Sequence, residues 1–410
     1  MAAEKSPKSR LFFVNRFYKP DESATSQILS DLAEHLVESG FDVTIITSRL
    51  SYADKSVRHP PQEVMKGVTV KRVWSSGFGR AGLIGRAVDY LSFYLTSFFA
   101  VLRLVGRGDI VVAKTDPPLI SVPVGFAARI RGARRVNWLQ DLFPEVATAL
   151  GVRTPLSGFL KWLRNQSLHW ACLNVAIGDI MAQRLKAEGV REETIRVIHN
   201  FADDETLKPG AYGIAELRQE WGLEPEDFVI GYSGNLGRAH DFKTILGAAK
   251  LLKDKAHIKF LFIGGGHLRA LVKEEANRHG LHNLIFKPYQ PREKLAVSLG
   301  VPDIHWISLM PDLEGLIVPS KLYGVAAVGR PVLMIGDETG EIANLLNTHG
   351  FGEAFSLDDA EALAARIDRM SGSPESNSAE GEAARAFIDS SASRAAAFRK
   401  WVDALEGLSV

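Results

Sequence analysis

The sequence predicts an α/β protein of two doubly wound domains, each built on a parallel sheet with helices on both faces. Short apolar runs alternate with helical patterns along residues 11–198, and the alternation starts again along residues 228–335. Such alternation is typical of parallel sheets. Between the two series, Asn200 to Gly213 contains two Asp, one Pro and two Gly, the composition of a linker. A length of 410 residues allows two or three domains, each with its own core.

In the first half, each apolar run ends in a polar loop. Leu11–Val14 is the first predicted strand, and the loop Asn15 to Ser26 and a helix from Ile28 to Ser39 follow it. The later predicted strands are Val43–Ile46, Ile110–Val112, Val136–Gln140, Leu173–Ile177 and Ile195–Ile198.

The second half repeats the pattern. Its predicted strands are Val229–Tyr232, Lys259–Ile263, Leu284–Phe286, His305–Ser308 and Pro331–Ile335. We place the N-terminal domain at residues 1–200, the second domain at 201–385, and at 386–410 a helix that packs back on the first domain. In doubly wound sheets, ligands bind beyond the carboxyl ends of the strands, where the strand order reverses.

Composition excludes several classes of protein. Hydrophobic residues at 46% and charged residues at 24% fit a soluble globular protein. The single cysteine, Cys172, excludes an internal disulfide and a Cys-based zinc cluster, and its apolar surroundings predict that it is buried. Met1 to Arg10 has no apolar core, so we expect no secretory signal and a cytoplasmic location.

The charge is distributed unevenly, which favours an anionic partner for the first half. Residues 1–190 hold 25 Lys+Arg against 16 Asp+Glu, and the remainder holds 24 against 32. Nucleic acid is not expected, because zinc-finger, RNP-like and helix-turn-helix patterns are lacking. A membrane surface fits better. Leu83 to Leu104 is apolar and aromatic, although its uninterrupted stretch is too short and too polar-edged to predict a span. Phe159 to Trp170 mixes Trp with basic residues. Two core helices are the alternative.

The stretch Gly231 to Lys243 predicts a phosphate site. An apolar run ends in a polar turn of Gly234, Asn235 and Gly237, and a helical pattern follows. Glycines allow a ligand to approach the backbone, and a helix N-terminus attracts anions. Arg238 and Lys243, five residues apart, can hold a diphosphate from two sides. An ordinary turn with two solvated cations is equally consistent with the spacing.

Taken together, several motifs resemble the retaining glycosyltransferases of family 4. The motifs of the second half are the Gly234–Lys243 turn, Gly264-Gly-Gly266, Pro319-Ser-Lys-Leu-Tyr323 and Gly329-Arg-Pro331. Three phrases of the first half narrow the resemblance to the subgroup that builds bacterial capsule, colanic-acid-like and O-antigen polysaccharides. They are Asn15-Arg-Phe-Tyr-Lys-Pro20, Thr115-Asp-Pro-Pro118 and Gln140-Asp-Leu-Phe-Pro-Glu145. The similarity runs from about Leu11 to Gly352.

The resemblance implies the GT-B fold, two Rossmann-like domains facing across a cleft. It implies transfer of a sugar from a nucleoside diphosphate sugar, in the first place a UDP-sugar, to a lipid-linked or saccharide acceptor. Arg238 and Lys243 match the family's cationic pair, which stabilises the leaving diphosphate in place of a metal ion. We therefore expect no metal or other cofactor. The expected location is the inner face of the cell membrane, with peripheral contact through the basic N-terminal half.

Further donor-side residues follow from the same resemblance. Gly264, Gly265 and Gly266 would let the backbone approach the nucleotide, Pro288 and Tyr289 would border the base, and Ser320 and Lys321 would form a second anion site at a helix start. A strand-end turn and plain packing are the alternatives for the glycines and for Tyr289. The glutamate that usually grips the ribose is replaced by Gly324. Glu314 is a candidate for contact with the donor sugar, or an exposed loop acid.

On the acceptor side, Asp141 follows a predicted strand. Because the leaving phosphate can take the acceptor proton, Asp141 would orient a substrate, unless it only caps the next segment. Asn15, Arg16 and Lys19 would face the cleft, where the two cations could meet an acceptor phosphate or stay solvated. His240 lies beside the cationic pair, with a turn role as the alternative. Two other functions stay open: a nucleotide-sugar epimerase of this fold, and a non-catalytic nucleotide-binding scaffold.

Overall fold

The computed structural model describes residues 10–21, 23–79 and 82–408, and the chain divides into two compact units. The first unit comprises Met1–His199 and Phe398–Val410, and the second comprises Asn200–Ala397. Of the segment Met1 to Arg10, expected to carry no secretory signal, only Arg10 lies among the described residues.

The first unit is built on an eight-stranded sheet. The strands are β1 Arg10–Val14, β2 Asp42–Ser48, β3 Gln62–Met65, β4 Val68–Val73, β5 Ile110–Lys114, β6 Arg134–Leu139, β7 Leu173–Ala176 and β8 Ile195–Val197. Their order is β3-β4-β2-β1-β5-β6-β7-β8. Neighbouring strands are parallel except for the hairpin of β3 and β4. The sequence had predicted every strand of this sheet except that hairpin.

The helices between the strands of this unit are α1 Ala24–Glu38, α2 Leu83–Leu104, α3 Ser121–Ile130, α4 Glu145–Ala149, α5 Ser157–Trp170 and α6 Asp179–Ala187. Phe12 and Val14 of β1 share a hydrophobic core with Phe93 and Val101 of α2. Apolar residues of successive strands thus bury one side of α2. Cys172, which precedes β7, is exposed, so the prediction that it is buried was wrong; its apolar neighbours face the core while it faces outward.

The second unit is built on a six-stranded parallel sheet of order β11-β10-β9-β12-β13-β14. Its strands are β9 Phe228–Asn235, β10 Ile258–Gly265, β11 Leu284–Lys287, β12 Ile304–Ser308, β13 Val332–Ile335 and β14 Gly352–Phe355. Its helices are α7 Ile214–Glu220, α8 Lys243–Leu251, α9 Arg269–Arg278, α10 Leu295–Gly300, α11 Lys321–Ala327, α12 Glu341–His349, α13 Ala360–Ser371 and α14 Pro374–Phe387.

Both faces of this second sheet are buried, as a doubly wound fold requires. Ile230 and Tyr232 of β9 pack into one hydrophobic cluster with helix α8, while Val229 of the same strand packs into another with Leu217 of α7. Because successive side chains of a strand point to opposite faces, each face meets its own helices. The predicted fold class is confirmed.

The last helix, α15 Arg394–Glu406, begins in the second unit, and its residues from Phe398 onward belong to the first. Trp401 meets Trp138 of β6 with ring centroids 4.7 Å apart, and both side chains are fully buried. The C-terminal residues therefore complete the core of the first unit.

The helix α2 contains the apolar segment that the sequence singled out. Its residues Ile84–Leu104 form an apolar helix of 21 residues, long and apolar enough to cross a membrane by length and composition. Arg86 and Asp89 lie near its start and Arg103 near its end, and these are the polar edges that argued against a membrane span in the sequence.

Candidate active site

Each sheet has one point at which the strand order reverses, and it lies beside the strand that comes first in the chain. In the second unit the reversal lies between β9 and β12, and in the first unit it lies between β1 and β5. Loops that follow these strands flank a crevice at the carboxyl edge of the sheet, the usual place for ligands in such folds. The predicted site residues divide between these two crevices.

In the second unit, the loop between β9 and α8 is fastened to the end of β12. The Met310 backbone N–H donates to the Ala239 carbonyl over 2.9 Å. The Ser308 hydroxyl donates to the Asp241 carbonyl over 2.9 Å, and the ring Nδ1 of His240 lies 2.6 Å from the Ser308 carbonyl oxygen. These contacts hold the loop in one shape before any ligand binds.

Arg238 lies in this loop and Lys243 is the first residue of α8. Both side chains are exposed, and neither has an ion-pair or hydrogen-bond partner within the described part of the chain. The carboxylate of Asp241 caps the helix instead, accepting from the backbone N–H of Thr244 over 2.9 Å. The fold therefore presents two exposed cations, one on the loop and one at the start of the helix that follows it.

The glycines of the second turn are required by the backbone itself. A Cβ on Gly264, at φ +118°, would lie 2.3 Å from the Gly234 carbonyl oxygen, and one on Gly266, at φ +123°, would lie 2.4 Å from that of Leu236. The Leu236 N–H also donates to the Gly265 carbonyl over 2.8 Å. The strand-end-turn alternative thus accounts for these two glycines without a ligand. Gly237 is not so constrained, since its added Cβ would meet only the Asn235 amide, at 3.2 Å.

Tyr289 covers the same turn. A Cβ on Gly265 would lie 2.9 Å from the Tyr289 ring, which shows how closely this ring approaches the glycine backbone. The ring is nevertheless 59% exposed, and Pro288 beside it is exposed as well. An exposed aromatic face next to a phosphate-type loop is suited to stacking against a base.

Lys321, expected to form a second anion site with Ser320, is partly buried and makes two hydrogen bonds within the protein. Its Nζ donates to the Tyr232 hydroxyl over 2.6 Å and to Nε2 of His240 over 3.2 Å. Burial lowers the pKa of Lys321 to about 7, and burial, with the Lys321 charge, lowers the pKa of His240 to about 4. The Lys321 side chain therefore packs against the glycine loop. A Cβ on Gly234 would lie 3.2 Å from the Lys321 Cε. Ser320 stays exposed.

Glu314 is buried, 6% exposed, so its interpretation as an exposed loop acid was wrong. Its Oε1 accepts from the backbone N–H of Glu341 over 2.8 Å, at the start of α12. Burial raises the pKa of Glu314. The place of the usual ribose-binding glutamate is apolar here, since a Cβ on Gly324 would meet Leu299 and Leu207 at 3.4 and 3.8 Å.

In the first unit, Arg16 follows β1 and is buried, 7% exposed, which rules out the solvated-cation alternative for this residue. Its guanidinium lies 5.3 Å from the Phe17 ring centroid and 5.1 Å from that of Tyr90. Its Nη2 pairs with Asp89 over 3.4 Å, while its Nε has no hydrogen-bond partner among the described residues. Such a buried, partly unsatisfied cation is suited to an anionic ligand.

The other two predicted residues of this loop, Asn15 and Lys19, already have partners within the protein. The Asn15 side chain is fully buried and its Nδ2 donates to the Phe17 carbonyl over 2.6 Å. Lys19 forms an ion pair with Glu34 over 2.5 Å. Neither side chain is solvated as a free loop residue would be.

A cavity of about 220 Å³ opens beside Arg16. Three cations, two carboxylates and three aromatic rings line it: Arg16, Lys55, Arg86, Asp89, Asp116, Phe17, Tyr52 and Tyr90. Sequence reasoning missed Lys55, Arg86, Tyr52 and Tyr90 as partners of Arg16, because they come from loops and helices far apart in the chain.

Asp141 and Asp116 are partly buried acids near these strand ends, close enough for their charges to interact. Burial, with the charge of Asp116, raises the pKa of Asp141 to about 7. Its Oδ1 is buried and lacks a hydrogen-bond partner among the described residues. Asp116 accepts from the Thr25 hydroxyl over 2.9 Å. Lys114, whose Nζ lies 4.0 Å from the Trp138 ring centroid, has its pKa lowered to about 7 by burial.

Each of the two units matches the model of a known protein family. The family model described as a glycosyl transferase 4-like domain matches residues 24–200, and that described as glycosyl transferases group 1 matches residues 213–387. The chain is 23% identical over 385 residues to WcaI of Escherichia coli (strain K12), named as a colanic acid biosynthesis glycosyl transferase; the match covers 91% of this chain and 94% of WcaI. It is 28% identical over 269 residues to the protein named glycosyltransferase WbjE of Pseudomonas aeruginosa, covering 64% of this chain and 66% of WbjE.

Solved structures share the fold along nearly the whole chain. Sucrose-phosphate synthase from Thermosynechococcus elongatus superposes with a TM-score of 0.78 at 15% identity, covering 98% of this chain and 99% of that one. The Anabaena protein Alr3699/HepE in complex with UDP gives a TM-score of 0.74 at 15% identity, covering 97% and 100%. The chain therefore belongs to the family 4 glycosyltransferases of the GT-B fold.

Proposed function

We propose that this glycosyltransferase moves a sugar from a UDP-sugar to a lipid-linked or saccharide acceptor during cell-surface polysaccharide synthesis, with retention at the anomeric carbon. The observation that carries the proposal is a pair of exposed cations without partners among the described residues, Arg238 on a loop bonded to β12 and Lys243 at the start of α8. Solved structures of Alr3699/HepE with UDP and with UDP-glucose support the choice of donor.

In the proposed mechanism, the second unit binds the donor. Arg238 and Lys243 neutralise the charge that develops on the diphosphate as the bond between the anomeric carbon and the phosphate oxygen breaks. The departing phosphate takes the proton of the acceptor hydroxyl, so neither a metal ion nor an enzymatic base is required. Tyr289 borders the base, and Gly234, Asn235 and Gly237 bring backbone close to the phosphates.

The first unit is the proposed acceptor-binding domain. The cavity beside Arg16 combines cations with aromatic rings, which suits a phosphate joined to a sugar. The unsatisfied Oδ1 of Asp141 is suited to orient a hydroxyl of the acceptor. Arg16 is the stronger phosphate candidate, since Lys19 is already paired with Glu34. A lipid-linked acceptor would place the enzyme at the inner face of the cell membrane.

Product analysis tests the proposal. The enzyme is incubated with a UDP-sugar and a polyprenyl-phosphate-linked saccharide, with and without EDTA, and the new linkage is assigned by NMR. We expect the anomeric configuration of the donor to be kept and the rate to be unaffected by EDTA. Inversion, or a requirement for metal, would contradict the mechanism. A changed sugar with donor alone would identify an epimerase, and UDP binding without turnover of any donor would identify a scaffold.

A further inference from the structure

We infer that one side of the first unit, formed by helices α2, α3 and α5, docks onto the surface of a bilayer that contains anionic phospholipids. The inference rests on the proposed function, which brings the enzyme to a membrane-bound acceptor, but it identifies the surface that makes the contact and the depth at which α2 lies.

One side of α2 is an uninterrupted apolar stripe. Its exposed side chains recur every three or four residues: Ile84, Val88, Leu91, Leu95 and Phe99. This spacing places them on one side of the helix. At 1.5 Å per residue the stripe is about 22 Å long.

Two neighbouring helices extend the stripe sideways. Phe126 and Ile130 of α3 and Phe159 and Trp162 of α5 are each at least half exposed. The Phe98 ring joins α2 to α3, with its centroid 5.3 Å from that of Phe99 and 6.3 Å from that of Phe126. We call the α2 stripe together with these four residues the docking face. A set of exposed apolar side chains on three packed helices is larger than single surface hydrophobics explain.

The helix α2 cannot cross the bilayer while the unit is folded. Asp89 is buried on its inner side, where it accepts from the backbone N–H of Phe78 over 2.9 Å and of Gly79 over 3.0 Å and pairs with Arg16. Phe93 on the same side is in the core. A spanning orientation would strip the carboxylate of these partners in hydrocarbon. Only the outer side is available, so α2 lies in the plane of the interface.

Charge selects a bilayer over a second protein copy. Among the residues of α2, α3 and α5, the only acid is the buried Asp89. Exposed arginines stand on α2 and α3 and just beyond their ends: Arg86, Arg103, Arg107, Arg129 and Arg131. Lys161 of α5 does not add to this positive charge, because its Nζ pairs with Glu188 over 2.5 Å. Anionic head groups match this rim, whereas a symmetric dimer through the docking face would set arginines against arginines.

Vesicle co-sedimentation tests the inference with a matched pair of variants. Leu95→Glu changes a leucine that is 54% exposed in the docking face, and Leu251→Glu changes one that is 56% exposed on α8 of the second unit. The full chain should pellet with phosphatidylglycerol-containing vesicles, less with pure phosphatidylcholine, and less at high salt. Leu95→Glu should weaken the partition about tenfold or more, because a leucine side chain can no longer be buried. Leu251→Glu should partition like the wild type.

Tryptophan quenching provides a second readout that does not depend on Leu95. Brominated lipids should quench Trp162, and Trp162→Gln should remove part of the quenching and weaken binding. Failure of the wild type to bind vesicles, or wild-type partition of both Leu95→Glu and Trp162→Gln, would overturn the inference. So would a dimer in light scattering that Leu95→Glu dissociates, since the docking face would then be a contact between copies.

The same measurements separate this inference from the proposed function. Lys243→Ala should lose sugar transfer and still pellet with vesicles. Leu95→Glu should bind UDP like the wild type and still act on an acceptor with a short, water-soluble lipid. Loss of UDP binding in Leu95→Glu would count against the docking face as a separate surface.

Discussion

Replacing Lys243 by alanine should separate catalysis from folding. The lysine is exposed, has no partner among the described residues, and stands at the N-terminus of α8, where a cation is unfavourable to the helix dipole. Its removal should therefore change the free energy of unfolding by less than about 0.5 kcal/mol. A charge about 4 Å from a departing phosphate contributes about 4 kcal/mol at a protein surface. Loss of one such stabilising group lowers kcat by about 10²–10³-fold.

The assay is the steady-state release of UDP, with the melting temperature measured in parallel. Lys250→Ala is the matched control, because it removes an exposed lysine from the far end of the same helix. Lys243→Arg should keep part of the activity, since the charge remains. Wild-type kcat/KM in Lys243→Ala would refute the assignment of the diphosphate site, and so would an equal loss in Lys250→Ala.

Three further outcomes follow from the two crevices. Tyr289→Ala should weaken UDP binding about tenfold in calorimetry, because a stacking partner of the base is lost, whereas Tyr289→Phe should bind normally. Gly266→Ala should cost about 3 kcal/mol in urea unfolding, because the new Cβ meets the backbone of Leu236, and Gly280→Ala, with open space around it, should cost only about 1 kcal/mol. With a pKa raised to about 7, Asp141 is neutral below that pH, so kcat/KM should rise as the pH passes through this range. A flat pH profile in the wild type would count against a role in which the ionised carboxylate orients the substrate, and so would an unchanged profile in Asp141→Asn.

Sequence patterns predicted the elements that are regular and fully buried. β9 is an apolar run that ends at glycine, and it appears where it was expected, with the cationic loop after it. The hairpin of β3 and β4 was missed because β3 has no buried residue and therefore no apolar run. A signal was nevertheless present. Lys66 and Gly67, both at positive φ, form the two-residue turn that joins these strands.

The sequence predicted those parts of the site whose residues are close together in the chain. The cationic pair lies within six consecutive residues, so its motif is visible in the sequence. The contact of Lys321 with Tyr232 and His240 joins residues more than 80 positions apart, and the sequence does not reveal which way the lysine points. Burial of Arg16 and Glu314 likewise depends on neighbours from other segments.

The packing of Trp401 on Trp138 has a consequence for how the polypeptide folds during synthesis. The N-terminal unit is translated first, yet the tryptophan that fills part of its interior is translated only after the whole second unit. The core of the first unit therefore stays incomplete while the second unit emerges from the ribosome. Premature termination or C-terminal clipping would damage the part of the enzyme that was made earliest.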